Sequence, residues 1–283
     1  GTLLGNLLNV ILDPILILWL DWGIAGAAIA TMIGNIAGAL FYLLYFWMGR
    51  SSLSIRLRDF SVTNRILSSV LAIGVPASLG NLLMSLSQMI TNSRMAAYGD
   101  MAIAAYGVAA KVLMVVTLVG IGLGQGVQPL LGYCYGAKYH RRFRACLRFS
   151  LGFALILCVT IAALCFVFTE PVVELFLTDT AALESGIRFS RIMLSTSWLF
   201  GTFYVLLNTL QAMGAATPSL VVSLCRQGII YIPAVFLMGA LLGVDGLVWA
   251  QPVADVLSLV LVAALLAVQM RRDLLPADAV QNA

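Results

Sequence analysis

The chain has 283 residues, of which 61% are hydrophobic and only 10% are charged, and its mean hydropathy is +1.02. Soluble domains carry about 25% charged residues. This composition therefore excludes a soluble globular protein and predicts an all-α integral membrane protein, a polytopic helical bundle in the lipid bilayer. The net charge of +4 then matters for where the basic loops lie, and we expect no nucleic-acid partner.

Hydropathy predicts eight membrane spans. In chain order they cover residues 2–20, 24–48, 66–97, 102–134, 146–169, 187–213, 218–241 and 247–270. The third and fourth are long for a hydrocarbon core of about 30 Å, so we expect tilt or protrusion beyond the headgroups.

The first span contains one acid, Asp13, in an otherwise apolar run. A charged side chain near the centre of a membrane helix costs roughly 2.5–3.5 kcal/mol on insertion scales, so a compensating partner is expected. Asn9 lies four residues earlier on the same helical face. Pro14 has no N–H, which leaves the backbone carbonyl of Val10 free. These groups form the first wall of a polar site.

The second span returns antiparallel to the first and supplies the opposite wall. Reflection of the chain through Trp22 predicts that Thr31 is level with Asp13, about 13 Å from the turn. Oxygen atoms gathered at one depth suit a small hard cation or a proton. The alternative is a polar cluster that only holds two helices together. Such interhelical hydrogen bonds average about 0.6 kcal/mol, which is a small return for burying a carboxylate.

Two later spans each carry a face of uncharged polar residues. The third span carries Asn81, Ser85 and Gln88, with Met84 beside them, and the sixth carries Tyr204 and Asn208. Such faces predict the lining of a water-filled cavity for amphiphilic substrates. Ordinary packing of small and polar residues explains them equally well.

Three charged residues in the later spans need partners. Lys111 and Asp255 lie at similar distances from the outer loops, so we expect them to form an ion pair inside the membrane, with a structural role or a role in gating. Arg226 lies near the cytoplasmic end of its span and is expected to extend to the headgroups. The glycines of GIGLGQG at 120–126 follow no strand and favour close helix packing or a hinge over a phosphate-binding loop.

The five cysteines contain no Cys-x-x-Cys pair, and His140, the only histidine, lies in a basic loop. The sequence therefore predicts no disulfide framework, no zinc or other transition-metal site, no catalytic residues and no cofactor apart from a coupling ion.

Loop charges alternate along the chain. Basic clusters at 50–65, 138–148 and 271–272 alternate with acidic loops. The positive-inside rule places the basic loops in the cytoplasm. We therefore expect a multi-pass protein of the cell (inner) membrane, with both ends of this chain cytoplasmic.

The first and last hairpins are similar and point the same way, which is typical of parallel repeats. Aligning Gly26 with Gly246 places Asn35 opposite Asp255. If the last six spans form one repeat, the first two end an earlier one, and about four spans precede them. The expected organisation is the last hairpin of an N-terminal lobe at 1–49, a cytoplasmic inter-lobe loop at 50–65, a six-span C-terminal lobe at 66–270 and a cytoplasmic tail at 271–283.

Four segments together resemble the multidrug and toxic compound extrusion (MATE) transporters. They are GNLLNVILDPILI (5–17), GVP (74–76), GQGVQPLLGYCYGAK (124–138) and LQAMGAATPSL (210–220). The resemblance implies twelve spans in two six-helix lobes, of which eight are present here. It also implies alternating access and export of small amphiphilic, often cationic molecules in exchange for Na⁺ or H⁺. We expect a monomer.

The resemblance also implies a cation site. One branch of the family uses an Asn and an Asp with N-x-x-x-D spacing and a Thr on the next span, which Asn9, Asp13 and Thr31 match. The position of Ala27 corresponds to a backbone carbonyl ligand in that branch. A second branch places an acid at the position of Met84 and another within 195–209, where this chain has none. Coupling is therefore expected at Asp13.

Two other functions fit a polytopic helical protein. A lipid-linked oligosaccharide flippase of a related fold needs a strongly cationic cavity, whereas the polar faces predicted here are neutral. An integral-membrane enzyme needs clustered acids or histidines near one interface, whereas the inner loops hold basic residues, one histidine and only Asp59 as an acid. The sequence therefore favours a cation-coupled antiporter, and it has no Walker A motif for ATP-driven transport.

Overall fold

The computed structural model describes residues 2–48, 66–177 and 179–281, with side chains for 3–17, 19–48, 78–80, 82–177 and 179–273. All regular secondary structure in these ranges is helical, which confirms the predicted fold class. The chain divides into two compact units, Gly1–Leu67 and Ser68–Ala283. The predicted inter-lobe loop at 50–65 lies outside the described residues.

The first unit is a helical hairpin. Helix α1 (Thr2–Pro14) continues into a π-helix, π1 (Ile15–Trp19), and helix α2 (Gly23–Trp47) returns. Because Pro14 cannot donate a hydrogen bond, the helix widens after it, and the amide of Leu20 donates to the carbonyl of Ile15 at 3.1 Å. Asp21 and Gly23 both adopt φ 51° in the turn.

Small residues hold the two helices of this hairpin together. Helix α2 buries Gly26, Ala30, Gly34 and Gly38, one residue per turn on one face. A Cβ atom added at Gly34 would lie 2.6 Å from the carbonyl oxygen of Gly5 on α1. The backbones therefore touch directly, as small-xxx-small patterns allow in membranes.

The second unit contains the remaining helices. They are α3 (Ile66–Ala96, from Ser68 onward), α4 (Asp100–Gly136), α5 (His140–Val167), α6 (Thr169–Glu174), α7 (Thr180–Ser197), α8 (Phe200–Ala212), α9 (Ala216–Leu224), the π-helix π2 (Cys225–Ile230), α10 (Tyr231–Leu242) and α11 (Val244–Gln281). Each of the eight predicted spans falls on one of these helices, on two or three consecutive ones, or on the first hairpin. Five described helices are long and apolar enough to cross a membrane, or six if α7 and α8 form one span. The count of eight spans therefore stays a prediction.

Helix α4 runs through the middle of this unit, with α7 packed on its first half and α8 on its second. Near its start, Ala105 and Ala109 join a buried cluster with Phe189 of α7; near its end, Leu131 joins one with Leu210 of α8. The GIGLGQG segment lies inside α4. A Cβ added at its Gly124 would lie 2.8 Å from the carbonyl oxygen of Tyr204, and one at Gly120 would lie 3.3 Å from the amide nitrogen of Gly201. These two glycines therefore serve close packing against α8, whereas Gly122 and Gly126 have open space around them.

Helices α7 and α8 meet at a bend of 46° that no proline causes. Around it, Ser195 Oγ donates to the carbonyl of Ile192 at 2.6 Å, and Ser197 Oγ donates to that of Leu194 at 2.9 Å. Serine hydroxyls that bond back along a helix compete with backbone amides and bend it.

Candidate functional site

A chain of hydrogen bonds crosses the first hairpin at the predicted cation site. Asn9 Nδ2 donates to Thr31 Oγ1 at 3.2 Å, and Thr31 Oγ1 donates to the backbone carbonyl of Ala27 at 2.9 Å. Three of the four residues predicted for the site are therefore joined directly. Their coordinating role stays a prediction.

Asp13, one turn after Asn9, has a carboxylate oxygen that lacks a partner. Its Oδ1 is buried and receives no hydrogen bond from the described residues. A buried carboxylate oxygen without a donor is costly, and a bound cation or a proton removes that cost. No group of three or more His, Cys, Asp or Glu side chains forms within the described ranges. The candidate ligands here are instead amide, hydroxyl and carbonyl oxygens, which suit hard cations.

The register of the hairpin differs from the expected one. Thr31 bonds to Asn9, whereas reflection through Trp22 put it level with Asp13, one turn further along. The contact of Gly26 with Leu16 fits the observed register, which centres the hairpin on residues 20–21. The π-helix is the physical reason, because it takes up more residues per turn than an α-helix. This register brings Asp13 level with 27–29, the stretch that includes Ala27.

A buried ion pair lies in the second unit between π2 and α11. Arg226 donates to Asp255 Oδ1 from Nε at 3.2 Å and from Nη2 at 3.0 Å, and both side chains are buried. Gln251, one turn before Asp255, donates to both carboxylate oxygens at 3.0 and 3.1 Å. Arg226 Nη1 donates to the Tyr204 hydroxyl at 3.2 Å, and its guanidinium lies 4.5 Å from the centre of the Phe203 ring. Each charge of the pair is thus compensated by the opposite charge and by neighbouring polar or aromatic side chains.

This pair corrects two expectations. Asp255 pairs with Arg226 and not with Lys111. Arg226 is 8% exposed and does not extend to the headgroups. The contact of Gly239 with Leu247 centres this hairpin near Gly243, so Asp255 is level with the end of π2, and the long arginine side chain reaches it from about one turn away.

A cavity of about 390 Å³ opens beside the ion pair, within the second unit. Three residues predicted for it, Met84, Gln88 and Tyr204, line its wall. Ser85 is exposed but is not part of that wall. Asn208 is buried and donates to the carbonyl of its own helix at Tyr204. The side chain of Asn81 lies outside the described residues.

Other polar lining residues were not predicted for this cavity from the sequence. They are Ser87, Tyr106, Lys111, Thr117, Arg226, Gln227, Tyr231 and Gln251. Ser87 donates to the carbonyl of Gln227, and the hydroxyls of Thr91 and Tyr231 lie 2.9 Å apart. These bonds tie α3 to π2 and α10. These residues are spread over α3, α4, π2, α10 and α11, with at most three on any one of them, which is too few for a periodic signal along the sequence.

Long apolar helices packed around a cavity with polar and apolar side chains in its wall define an integral membrane helical bundle. The profile of the MatE family matches residues 76–237, more than half of the sequence. The chain belongs to this family, as the four motif segments predicted.

Relatives and solved structures agree with this assignment. The multidrug export protein MepA of Staphylococcus aureus is 34% identical over 278 residues, which cover 98% of this chain and 61% of MepA. A crystal structure of a MATE protein in the straight conformation superposes with a TM-score of 0.82 at 23% identity, over 93% of this chain and 62% of that one. The Vibrio cholerae MATE transporter VcmN in its bent form gives 0.77 at 25% identity, over 96% and 62%. The chain thus spans about three fifths of the length of these proteins.

Proposed function

We propose that the protein exports small amphiphilic, often cationic molecules across the cell membrane in exchange for H⁺ or Na⁺. One observation carries this proposal. The buried Oδ1 of Asp13 receives no hydrogen bond from the described residues, and it lies beside the Asn9–Thr31–Ala27 hydrogen bonds. The family membership and the name of the staphylococcal relative, a multidrug export protein, support the substrate class.

The proposed coupling site combines four oxygen-bearing groups of the hairpin. Asp13 supplies the charge, and the Asn9 amide, the Thr31 hydroxyl and the Ala27 carbonyl supply neutral oxygens. A proton and Na⁺ compete for such a site, since each neutralises the carboxylate. Occupation shifts the population toward the state that releases drug outside, to the extent that the ion binds the two states with different affinity.

The proposed drug site includes the cavity of the second unit. Three methionines, Met84, Met114 and Met193, line it together with the rings of Tyr106 and Phe200. Flexible thioethers and amphipathic rings adapt to ligands of different shape, as a multidrug site requires. Alternating access by movement of two lobes, a monomeric working unit and cytoplasmic placement of the basic loops complete the proposal.

A lipid-linked oligosaccharide flippase is less favoured, although the cavity wall is not neutral as the sequence predicted. The polar faces were expected to be neutral, yet Lys111 and Arg226 both line the cavity. Asp255 neutralises Arg226, so one net positive charge remains. A pyrophosphate group calls for several clustered cations.

Replacement of Asp13 tests the coupling. Asp13→Asn keeps the shape of the side chain and removes its charge, so we expect drug efflux driven by an imposed H⁺ or Na⁺ gradient to fall to the passive leak, while drug binding to the purified protein persists. Asp21→Asn is the matched control, because Asp21 lies exposed in the turn of the same hairpin. Efflux is measured in proteoliposomes that contain the full-length protein. Gradient-driven efflux at the wild-type rate in Asp13→Asn would refute the assignment of Asp13 as the coupling residue.

A further inference from the structure

Lys111 carries a charge that the described part of the protein does not neutralise. It lies eleven residues after the start of α4 at Asp100, about 16 Å along the helix, and its side chain is exposed at the wall of the cavity. The ion pairs within the described residues are Arg188–Asp245 and Arg226–Asp255. Neither includes Lys111.

The described residues of the cavity wall offer Lys111 no acid. None of them is Asp or Glu, and Arg226, the other cation among them, is bonded to Asp255 outside the lining. The described part of the wall thus has one net positive charge. An unpaired cation at this depth is costly unless a ligand or water compensates it, and such residues usually mark functional sites.

The surroundings of Lys111 fit one end of an amphiphile. Neutral hydrogen-bonding groups line the same space, among them the amide of Gln88 and the hydroxyl of Tyr204. Met114, Leu118 and Ile121 supply an apolar wall on the helix of Lys111 itself. A molecule with a carboxylate and a hydrophobic body satisfies both parts, since a carboxylate accepts charge-assisted hydrogen bonds from an ammonium group.

We propose that Lys111 binds the carboxylate of zwitterionic or anionic amphiphilic substrates in this cavity. The inference rests on the proposed export function, and it names the residue that recognises a carboxylate on such a substrate. Arg226 is held by Asp255, so among the described lining residues the free positive charge is that of Lys111.

The test uses one fluorescent xanthene dye in two forms, with a free benzoate carboxylate and as its methyl ester. Equilibrium binding of each form to the purified full-length protein is measured in nanodiscs of zwitterionic lipid. Lys111→Met, which keeps the length of the side chain, should weaken binding of the acid at least about tenfold, the effect of one charge-assisted hydrogen bond, and that of the ester less than about twofold. Lys111→Arg should restore most of the affinity for the acid.

The other lysine of the chain, Lys138, supplies the matched control, because it lies outside the cavity wall. Lys138→Met should leave both affinities unchanged. Equal weakening of acid and ester in Lys111→Met, or no weakening of either, would overturn the proposal. Wild-type protein that binds the ester as tightly as the acid would do the same, and this comparison needs no variant to fold.

Two further arms separate the neighbouring explanations. The binding measurement is repeated in nanodiscs of anionic lipid, to test whether a lipid phosphate is the anion that Lys111 binds. Acid binding that is lost in anionic lipid, and is independent of Lys111 in zwitterionic lipid, would assign the charge to lipid and refute the proposal. Gradient-driven transport is measured separately. Lys111-dependent binding of the acid without transport of either dye would refute the export function and leave the carboxylate site standing.

Discussion

Removal of the acid from the buried ion pair of the second unit should destabilise the protein more than removal of its base. Asp255→Asn leaves Arg226 without an opposite charge, buried against Phe203 and Tyr204. A guanidinium cannot shed its proton in a protein. Arg226→Gln leaves a carboxylate, which keeps its two bonds from Gln251 and can take up a proton.

The distances set the size of the effect. The closest nitrogen and oxygen atoms of the pair are 3.0 Å apart, which corresponds to charge centres about 4 Å apart and an attraction of roughly 4 kcal/mol at an effective dielectric constant of 20. Loss of one member of such a pair costs about 3–5 kcal/mol. We therefore expect Asp255→Asn to lower the apparent Tm by roughly 10 °C, and Arg226→Gln to lower it by less.

The assay is thermal unfolding of the purified full-length protein in detergent, followed by tryptophan fluorescence, for both single variants and the double variant. Neutralisation of both residues removes the uncompensated charge, so the double variant should be more stable than Asp255→Asn alone. Two results would refute the reasoning. One is a double variant whose loss equals the sum of the single losses, and the other is an arginine variant less stable than the aspartate variant.

Two further predictions concern packing and capping. Gly124→Ala should destabilise the protein by about 1–3 kcal/mol, because the new Cβ would lie 2.5 Å from Asn208 Nδ2. Gly122→Ala, two residues earlier with open space around it, should be neutral or stabilising in the same melting assay. Asp179→Ala should cost about 1 kcal/mol, because Asp179 Oδ1 accepts from the amide of Ala181 at the start of α7. Hydrogen–deuterium exchange should then be faster in the first turn of α7, and unchanged exchange would contradict this.

The first hairpin was largely predictable from its sequence. A lone acid, an amide four residues earlier and a proline predicted where the polar groups of the hairpin meet, because a membrane leaves few reasons to bury such groups; their role in cation binding stays a prediction. The one-turn error for Thr31 arose because helix counting assumes a constant rise, whereas π1 interrupts it. When a proline directly precedes a π-helix, as Pro14 does here, the pairing of residues across the hairpin cannot be counted through that segment.

The ion pair of the second unit was mispredicted for a different reason. Lys111 and Asp255 were predicted to pair because they lie at similar distances from the outer loops. That distance does not say which side of a helix faces which neighbour. Arg226 was assigned to the headgroups from its distance to the loop alone. Arg226 lies on π2 and its partners lie on α8 and α11, and no periodicity within one segment reports a contact among three.

The bend between α7 and α8 shapes part of the cavity wall. Met193 stands on one side of it and Phe200 and Tyr204 on the other, and all three border the cavity. The course of this part of the wall therefore depends on backbone curvature as well as on side chains. A substitution at a lining residue can change the chemistry of the wall without moving the two helices that carry it, so the shape of the chamber and its chemical character can evolve independently.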